Sequence, residues 1–156
     1  MYKINIITLG KLKEKYWSDA EQEYLKRLSI FTKTNIIELK EEKFDEKSNH
    51  EVIKEKEAEK ILKAIHKNSY VIVLDKEGKQ FSSEELSKKI IEFKNSSTEI
   101  SFVIGGPLGL AESILNIAKE KWSFSKLTFT HQMMRVILLE QIYRSFMISE
   151  DRKYHW

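Results

Sequence analysis

The chain has 156 residues, 41% hydrophobic and 33% charged, with a net charge of +3, five glycines, one proline and no cysteine. That length suits one domain, 1–156, able to bury a real core, and the missing cysteines exclude disulfides and thiolate metal sites. No apolar run approaches the roughly 20 residues of a membrane span, and Met1 to Ile7 leads into strand-like sequence without a small-residue cleavage site, so a cytoplasmic protein is expected.

Lys3 to Leu9 is rich in Ile and ends at Gly10, as a short buried strand does. Tyr16, Trp17, Ala20, Tyr24, Leu25 and Leu28 then recur at three- and four-residue spacing, the mark of an amphipathic helix. Asn35 to Leu39 reads as a second strand, Lys40 to Asn49 as a charged loop, and Ala58, Ile61, Leu62 and Ile65 as one helix face. Tyr70 to Leu74 is a continuous apolar strand that stops at Asp75. Ser82 or Ser83 caps the helix after it, with Leu86, Ile90, Ile91 and Phe93 inward. Ile100 to Ile104 is a fourth strand running into Gly105-Gly106-Pro107-Leu108-Gly109, and Ile114, Leu115, Ile117 and Ala118 belong to the next helix. Leu127 to Phe129 is a candidate fifth strand, and the last helix is expected over His131 to Met147. Strands alternating with helices predict a parallel sheet covered on both faces, a three-layer α/β/α domain. Ligands in such domains sit at the carboxyl ends of the strands.

Three loops therefore matter most: the one after Leu74, the glycine loop, and Trp122 to Phe129. Glycines between a buried strand and a helix let the backbone turn sharply and approach a ligand closely. Their spacing matches neither the dinucleotide fingerprint nor the phosphate loop, and no lysine follows to hold a phosphate. Ser123 to Phe129 alternates small polar and apolar residues, which suits a partly polar pocket or a plain loop entering a strand. The final helix is apolar in nearly every direction, so it is central to the fold or part of a subunit interface. Within it His131 and Arg135 share a face, Arg144 lies farther along, and the arginines call for anionic partners: Glu140 can satisfy one and an RNA phosphate another. Residues 119–156 carry seven basic against four acidic side chains, whereas 1–118 balance at 20 each. Charge gathered at one end fits a phosphate-facing surface. Arg152, Lys153, Tyr154 and His155 add rings able to stack on an unpaired base and an acid–base group near neutral pH.

Gly10 to Tyr16, Val73 to Lys79 with Ser82-Ser83-Glu84, Phe102 to Gly106 with Gly109, Ser123 to Phe129, His131 to Val136, Leu139 to Arg144 and Tyr154-His155 form one ordered set. In order and over matching length, that set resembles the ribosomal RNA large subunit methyltransferase H family of the SPOUT class. The resemblance implies a C-terminal trefoil knot and a homodimer. It implies S-adenosylmethionine held, without a metal, by Leu74, Gly105, Gly106, Gly109, Phe124, Ser125, Lys126, Leu127, Thr128 and Phe129. The reaction it implies is methylation of N3 of a pseudouridine in the helix 69 stem-loop of 23S ribosomal RNA, on assembled ribosomes and away from membranes. His155 is then the general base or proton relay, and Tyr154 stacks on or orients the base. Arg135 and Arg144 hold phosphates or the charge developing on the base, and His131, Arg144, Arg152 and Lys153 face the RNA. Three departures stand out: Thr130 in place of a common proline, Pro107 and Leu108 within the glycine loop, and Trp156 after the histidine. The altered glycine loop and Trp156 motivate the alternative of a ribosome- or RNA-binding protein that keeps the fold without catalysing. A small-molecule α/β enzyme is a further alternative, one that leaves the basic C-terminal third without a role.

Overall fold

The computed structural model describes residues 1–154. Ten elements alternate: β1 (Lys3–Leu9), α1 (Lys15–Leu28), β2 (Lys33–Leu39), α2 (His50–Ala64), β3 (Tyr70–Lys79), α3 (Ser83–Asn95), β4 (Ile100–Ile104), α4 (Glu112–Ile117), β5 (Glu120–Trp122) and α5 (His131–Ser149). The strands form one sheet in the order β2-β1-β4-β3-β5, and every pair is parallel. This is the expected α/β architecture, and alternation of side chains along each strand explains its two cores. On one face Ile4, Ile6, Ile72, Ile100, Phe102 and Trp122 pack with Leu28, Leu86, Ile90, Leu138, Leu139, Ile142 and Phe146 from α1, α3 and α5. On the other, Ile7, Leu9, Val71, Val73 and Val103 meet Ala58, Ile61 and Ile114 from α2 and α4.

Helix starts follow local chemistry. Ser82 is the cap of α3: its Oγ accepts from the Glu85 N–H at 3.1 Å while the Glu85 carboxylate accepts from the Ser82 N–H at 2.8 Å, a reciprocal box. Asn49 caps α2, and Thr130 caps α5 by accepting from the Met133 N–H.

Two strand assignments change. The fifth strand is Glu120–Trp122, not Leu127 to Phe129, which lie in an exposed loop. Trp122 is 1% exposed, edge-on to Phe81 and Phe102. Glu120 accepts hydrogen bonds from Tyr70 Oη, Trp122 Nε1 and Lys89 Nζ. Burial alone would raise its carboxyl, but these three donors outweigh burial and hold it below its usual value. Such a short, half-charged strand has no periodicity to read. Likewise β3 does not stop at Asp75. It bulges and continues to Lys79, so that Leu74 and Lys79 both pair with Trp122, and the Ser123 N–H donates to the Lys79 carbonyl. Gly78 makes this crossing possible, because a Cβ there would stand 2.6 Å from the carbonyl carbons of Lys121 and Trp122.

Helix α5 runs two residues beyond Met147 and is not enclosed. Leu138, Leu139, Ile142 and Phe146 are buried, while Met133, Val136, Ile137, Tyr143 and Met147 remain half-buried on its other sides. In α1 the anticipated Tyr16 is 64% exposed and the charged Glu21 is buried instead. No helix among the described residues is long and apolar enough to cross a membrane.

A cavity at the strand ends and an aromatic cluster at the far end of α5

The irregular middle of β3 at Leu74–Lys76, the carboxyl end of β4, the loop after β5 and the first turn of α5 surround one cavity of about 800 Å³, within the usual range for small-molecule sites. Of the ten residues expected to bind a cofactor, nine line it: Leu74, Gly105, Gly106, Gly109, Phe124, Ser125, Leu127, Thr128 and Phe129. Lys126 does not; it is exposed and lies outside the lining. His131, expected on RNA, lies at the cavity's α5 wall. Leu110, Leu115, Gln132 and Met134 also line it and were missed; Asp75 and Pro107 line it too, within the expected ligand loops but not among the expected ligand residues. Asp75, directly after the apolar part of β3, was the one whose position could have announced it.

The walls owe their shape to backbone. The Gly109 N–H donates to the Gly106 carbonyl at 3.0 Å, closing a turn in which Gly109 has φ +82°, a conformation costly for a residue with a Cβ. A Cβ on Gly109 would meet nothing within 4 Å, so its Cα opens onto free space. A Cβ on Gly105 would come within 3.0 Å of Leu110. Opposite, Ser123 Oγ donates to the Ser125 carbonyl, and Ser125 Oγ accepts from the Leu127 N–H, which fixes the loop beside Phe124. The lining combines apolar side chains with backbone amides and few charges. It suits a small ligand that carries both apolar and polar groups. Among the described residues no group of three or more His, Cys, Asp or Glu side chains is placed to hold a metal.

The remaining candidates sit elsewhere. The Tyr154 hydroxyl lies 3.3 Å from that of Tyr24, its ring is edge-on to Tyr143, and the Arg144 guanidinium lies 5.0 Å from its centroid. Burial, followed by the contact with Tyr24, raises the Tyr154 phenol well above its ordinary value, so at neutral pH this hydroxyl stays protonated. Arg144 donates to Glu140 at 2.6 Å, so of the two arginines of this helix it is the one that takes Glu140. Arg152 pairs with Glu150 and lies over Phe31, and Lys153 is exposed beside it. His155 lies outside the described residues. Tyr143 and Arg144, against which Tyr154 packs, place this cluster about 18–20 Å along the helix axis from His131.

Arg135 needs correcting. It is 1% exposed, with Nε and Nη2 on the Glu21 carboxylate at 2.8 and 2.7 Å and Nη1 on Glu38 at 2.8 Å. A guanidinium buried and satisfied by two carboxylates has no free face for a phosphate or a reacting base.

A sequence profile described as "Predicted SPOUT methyltransferase" matches residues 2–155. A ribosomal RNA large subunit methyltransferase H of Clostridium acetobutylicum is 53% identical over 156 residues, covering 97% of this chain and 98% of the relative. A protein of the same name from Enterococcus faecalis is 49% identical, covering 98% of this chain and 99% of the relative. The solved structure of a "probable methylase family protein" from Haemophilus influenzae superposes with a TM-score of 0.60 at 15% identity, over 98% of this chain and 70% of that one; it speaks for the fold alone. With a profile matched from Tyr2 to His155 and relatives near half-identical along their whole length, the chain belongs to the SPOUT methyltransferase family, in its ribosomal RNA large subunit methyltransferase H branch.

Proposed function

We propose that the protein is an S-adenosylmethionine-dependent methyltransferase of 23S ribosomal RNA, acting in the cytoplasm as a homodimer on assembled ribosomes. Its target is N3 of a pseudouridine in the helix 69 stem-loop. The observation that carries this reading is the cavity itself, which gathers nine of the residues that the family resemblance assigns to the cofactor. The cofactor supplies an activated methyl group on a sulfonium. The work left to the chain is positioning and electrostatics. Backbone amides around Gly105–Gly109 and Ser125–Thr128 hold the polar parts, and Leu74, Leu110 and Phe124 enclose the apolar ones. The proton on N3 must leave as the methyl arrives. His155 takes it, Tyr154 orients the base by ring contact and a donated hydrogen bond, and Arg144 and Arg152 with Lys153 and His131 neutralise phosphates.

Two features support a dimer. Tyr154 packs on Tyr143 and Arg144, about 18–20 Å along α5 from His131 at the cavity wall, a separation that favours a partner's tail closing each cavity. The half-buried apolar side of α5 offers a surface for that pairing. The same reading includes a trefoil knot. The contact of Lys121–Ser123 with Gly78–Lys79 is where the chain would thread.

The test is transfer of labelled methyl from S-adenosylmethionine to ribosomes that lack the modification, with free ribosomal RNA alongside. Label in 23S RNA at a single pseudouridine is expected on ribosomes. Cofactor binding without label would move the substrate elsewhere. Absence of both would favour a ribosome-binding protein without catalysis.

A further inference from the structure

Beside the cavity lies a second groove of about 480 Å³, which shares Pro107, His131 and Gln132 with it. Its other walls come from the β1–α1 and β2–α2 loops, which bring Lys11, Lys13, Lys43 and Phe44 to one opening. The three lysines are exposed, and among the described residues none makes an ion pair, whereas Lys15, Lys54, Lys60 and Lys89 all do. Of the two carboxylates in the groove, Glu42 is neutralised by Lys60 at 2.6 Å. Glu41 lies against Gly10. Phe44 is 42% exposed with its ring edge-on to His50. The Lys13 N–H donates to Gln132 Oε1 at 3.3 Å, so the lysine-bearing loop is tied to the first turn of α5.

We propose that this groove is the track along which the RNA strand reaches the methyl-transfer site, with Lys11, Lys13 and Lys43 holding its phosphates and Phe44 stacking on a flanking unpaired base. The inference rests on the reading of the protein as an RNA methyltransferase and extends it to a surface outside the C-terminal cluster. Unpaired ammonium groups around an open groove are solvated at little gain to the fold, and they attract a polyanion by releasing its counterions. The aromatic ring adds sequence-tolerant stacking on single-stranded RNA. Continuity through Pro107 and His131 delivers that strand to the cavity mouth rather than to a remote face.

The test compares the wild type, the triple variant Lys11→Glu/Lys13→Glu/Lys43→Glu, and Lys67→Glu, whose lysine is exposed at the opposite end of the sheet. Cofactor affinity, oligomeric state and ribosome-dependent methyl transfer are measured at several salt concentrations. The triple variant should bind cofactor as the wild type does, yet show a KM for ribosomes raised about tenfold or more and a shallower salt dependence. Lys67→Glu should match the wild type. An unchanged KM, lost cofactor binding or a dissociated dimer in the triple variant would overturn the proposal. If the wild type itself transfers no methyl, the functional reading fails separately, and the same variants are scored by gel shift on protein-free 23S RNA. Equal binding there would overturn the groove as an RNA track.

Discussion

Arg135 on α5 and Glu21 on α1 form a buried ion pair with N–O distances of 2.7 and 2.8 Å, joined from β2 by Glu38. It fastens the cavity-bearing half of α5 to two elements far away in sequence. Arg135→Ala would leave a buried carboxylate without its cation. Glu38 is partly solvated, at 34%, which softens the loss, so the cost should fall near the lower end of about 3–5 kcal/mol. Urea midpoints of Arg135→Ala, Glu21→Gln and Arg135→Met/Glu21→Gln check it: the double variant should recover much of the loss. If Arg135→Ala kept full stability but lost RNA affinity, the residue would be a ligand contact after all.

Gly78→Ala places a methyl group against backbone, not against a side chain that can move away. The crossing of β3 and β5 must shift to admit it. A loss of about 1–3 kcal/mol is expected, read as a lowered Tm, with cofactor affinity falling too because Trp122 to Ser125 lead from the crossing into the cavity wall.

Gly109→Ala asks a side chain to accept φ +82° in open space. Its stability cost should stay near 1 kcal/mol. The turn that shapes the cavity floor should distort, and calorimetry should show cofactor affinity reduced by a larger factor than Tm would suggest. Equal affinity in Gly109→Ala and wild type would remove this turn from the cofactor site.

Mixing Gly109→Val with Tyr154→Ala tests whether each site draws on two chains. Each variant alone should be nearly inactive. If subunits exchange, mixed dimers regain one intact site, and an equimolar mixture should recover about a quarter of wild-type activity. No recovery, with exchange verified, would place Tyr154 and the cavity it serves in the same chain.

Glu57 is 4% exposed beneath the glycine loop, where its Oε2 accepts the Glu42 N–H. Burial raises its carboxyl above the ordinary value, and that hydrogen bond only partly opposes the shift. The folded chain therefore holds this proton more tightly than the unfolded one. The stability involved is fully present below the ordinary value of about 4.3 and is lost as pH rises through the raised one. Glu57→Gln keeps an acceptor and removes the titration, so its urea midpoint should gain on the wild type as pH rises from acid to neutral. A constant difference would mean that Glu57 titrates alike in both states.

What the sequence disclosed depended on periodicity and on chain order. Continuous apolar runs such as Tyr70 to Leu74 and the 3.6-residue spacing in α3 located most elements, and the rule that ligands sit at strand carboxyl ends located the cavity loops. The Glu120–Trp122 strand escaped because three residues carry no period. Glu21 and Arg135 escaped because each looks solvent-facing until the other is beside it, and 114 residues separate them. The lysines of the groove were likewise invisible as a group, since Lys11 and Lys43 are neighbours only once β1 and β2 are paired.

The strand order also governs when the molecule can form. β1 and β3 do not pair with each other; β4 lies between them, matching Ile4 on one side and Tyr70 on the other through the same Ile100. Until residue 104 has been made, a growing chain holds the β1–β2 pair and a lone β3 with no shared edge. Closing it then requires inserting the last-made central strand between segments already present. Non-local parallel pairing of this kind is slow to nucleate, and it leaves open strand edges exposed on the nascent chain. During synthesis the protein therefore passes through a stage in which the sheet cannot close, and the core waits on β4 and on Trp122, Leu138, Leu139, Ile142 and Phe146 made after it.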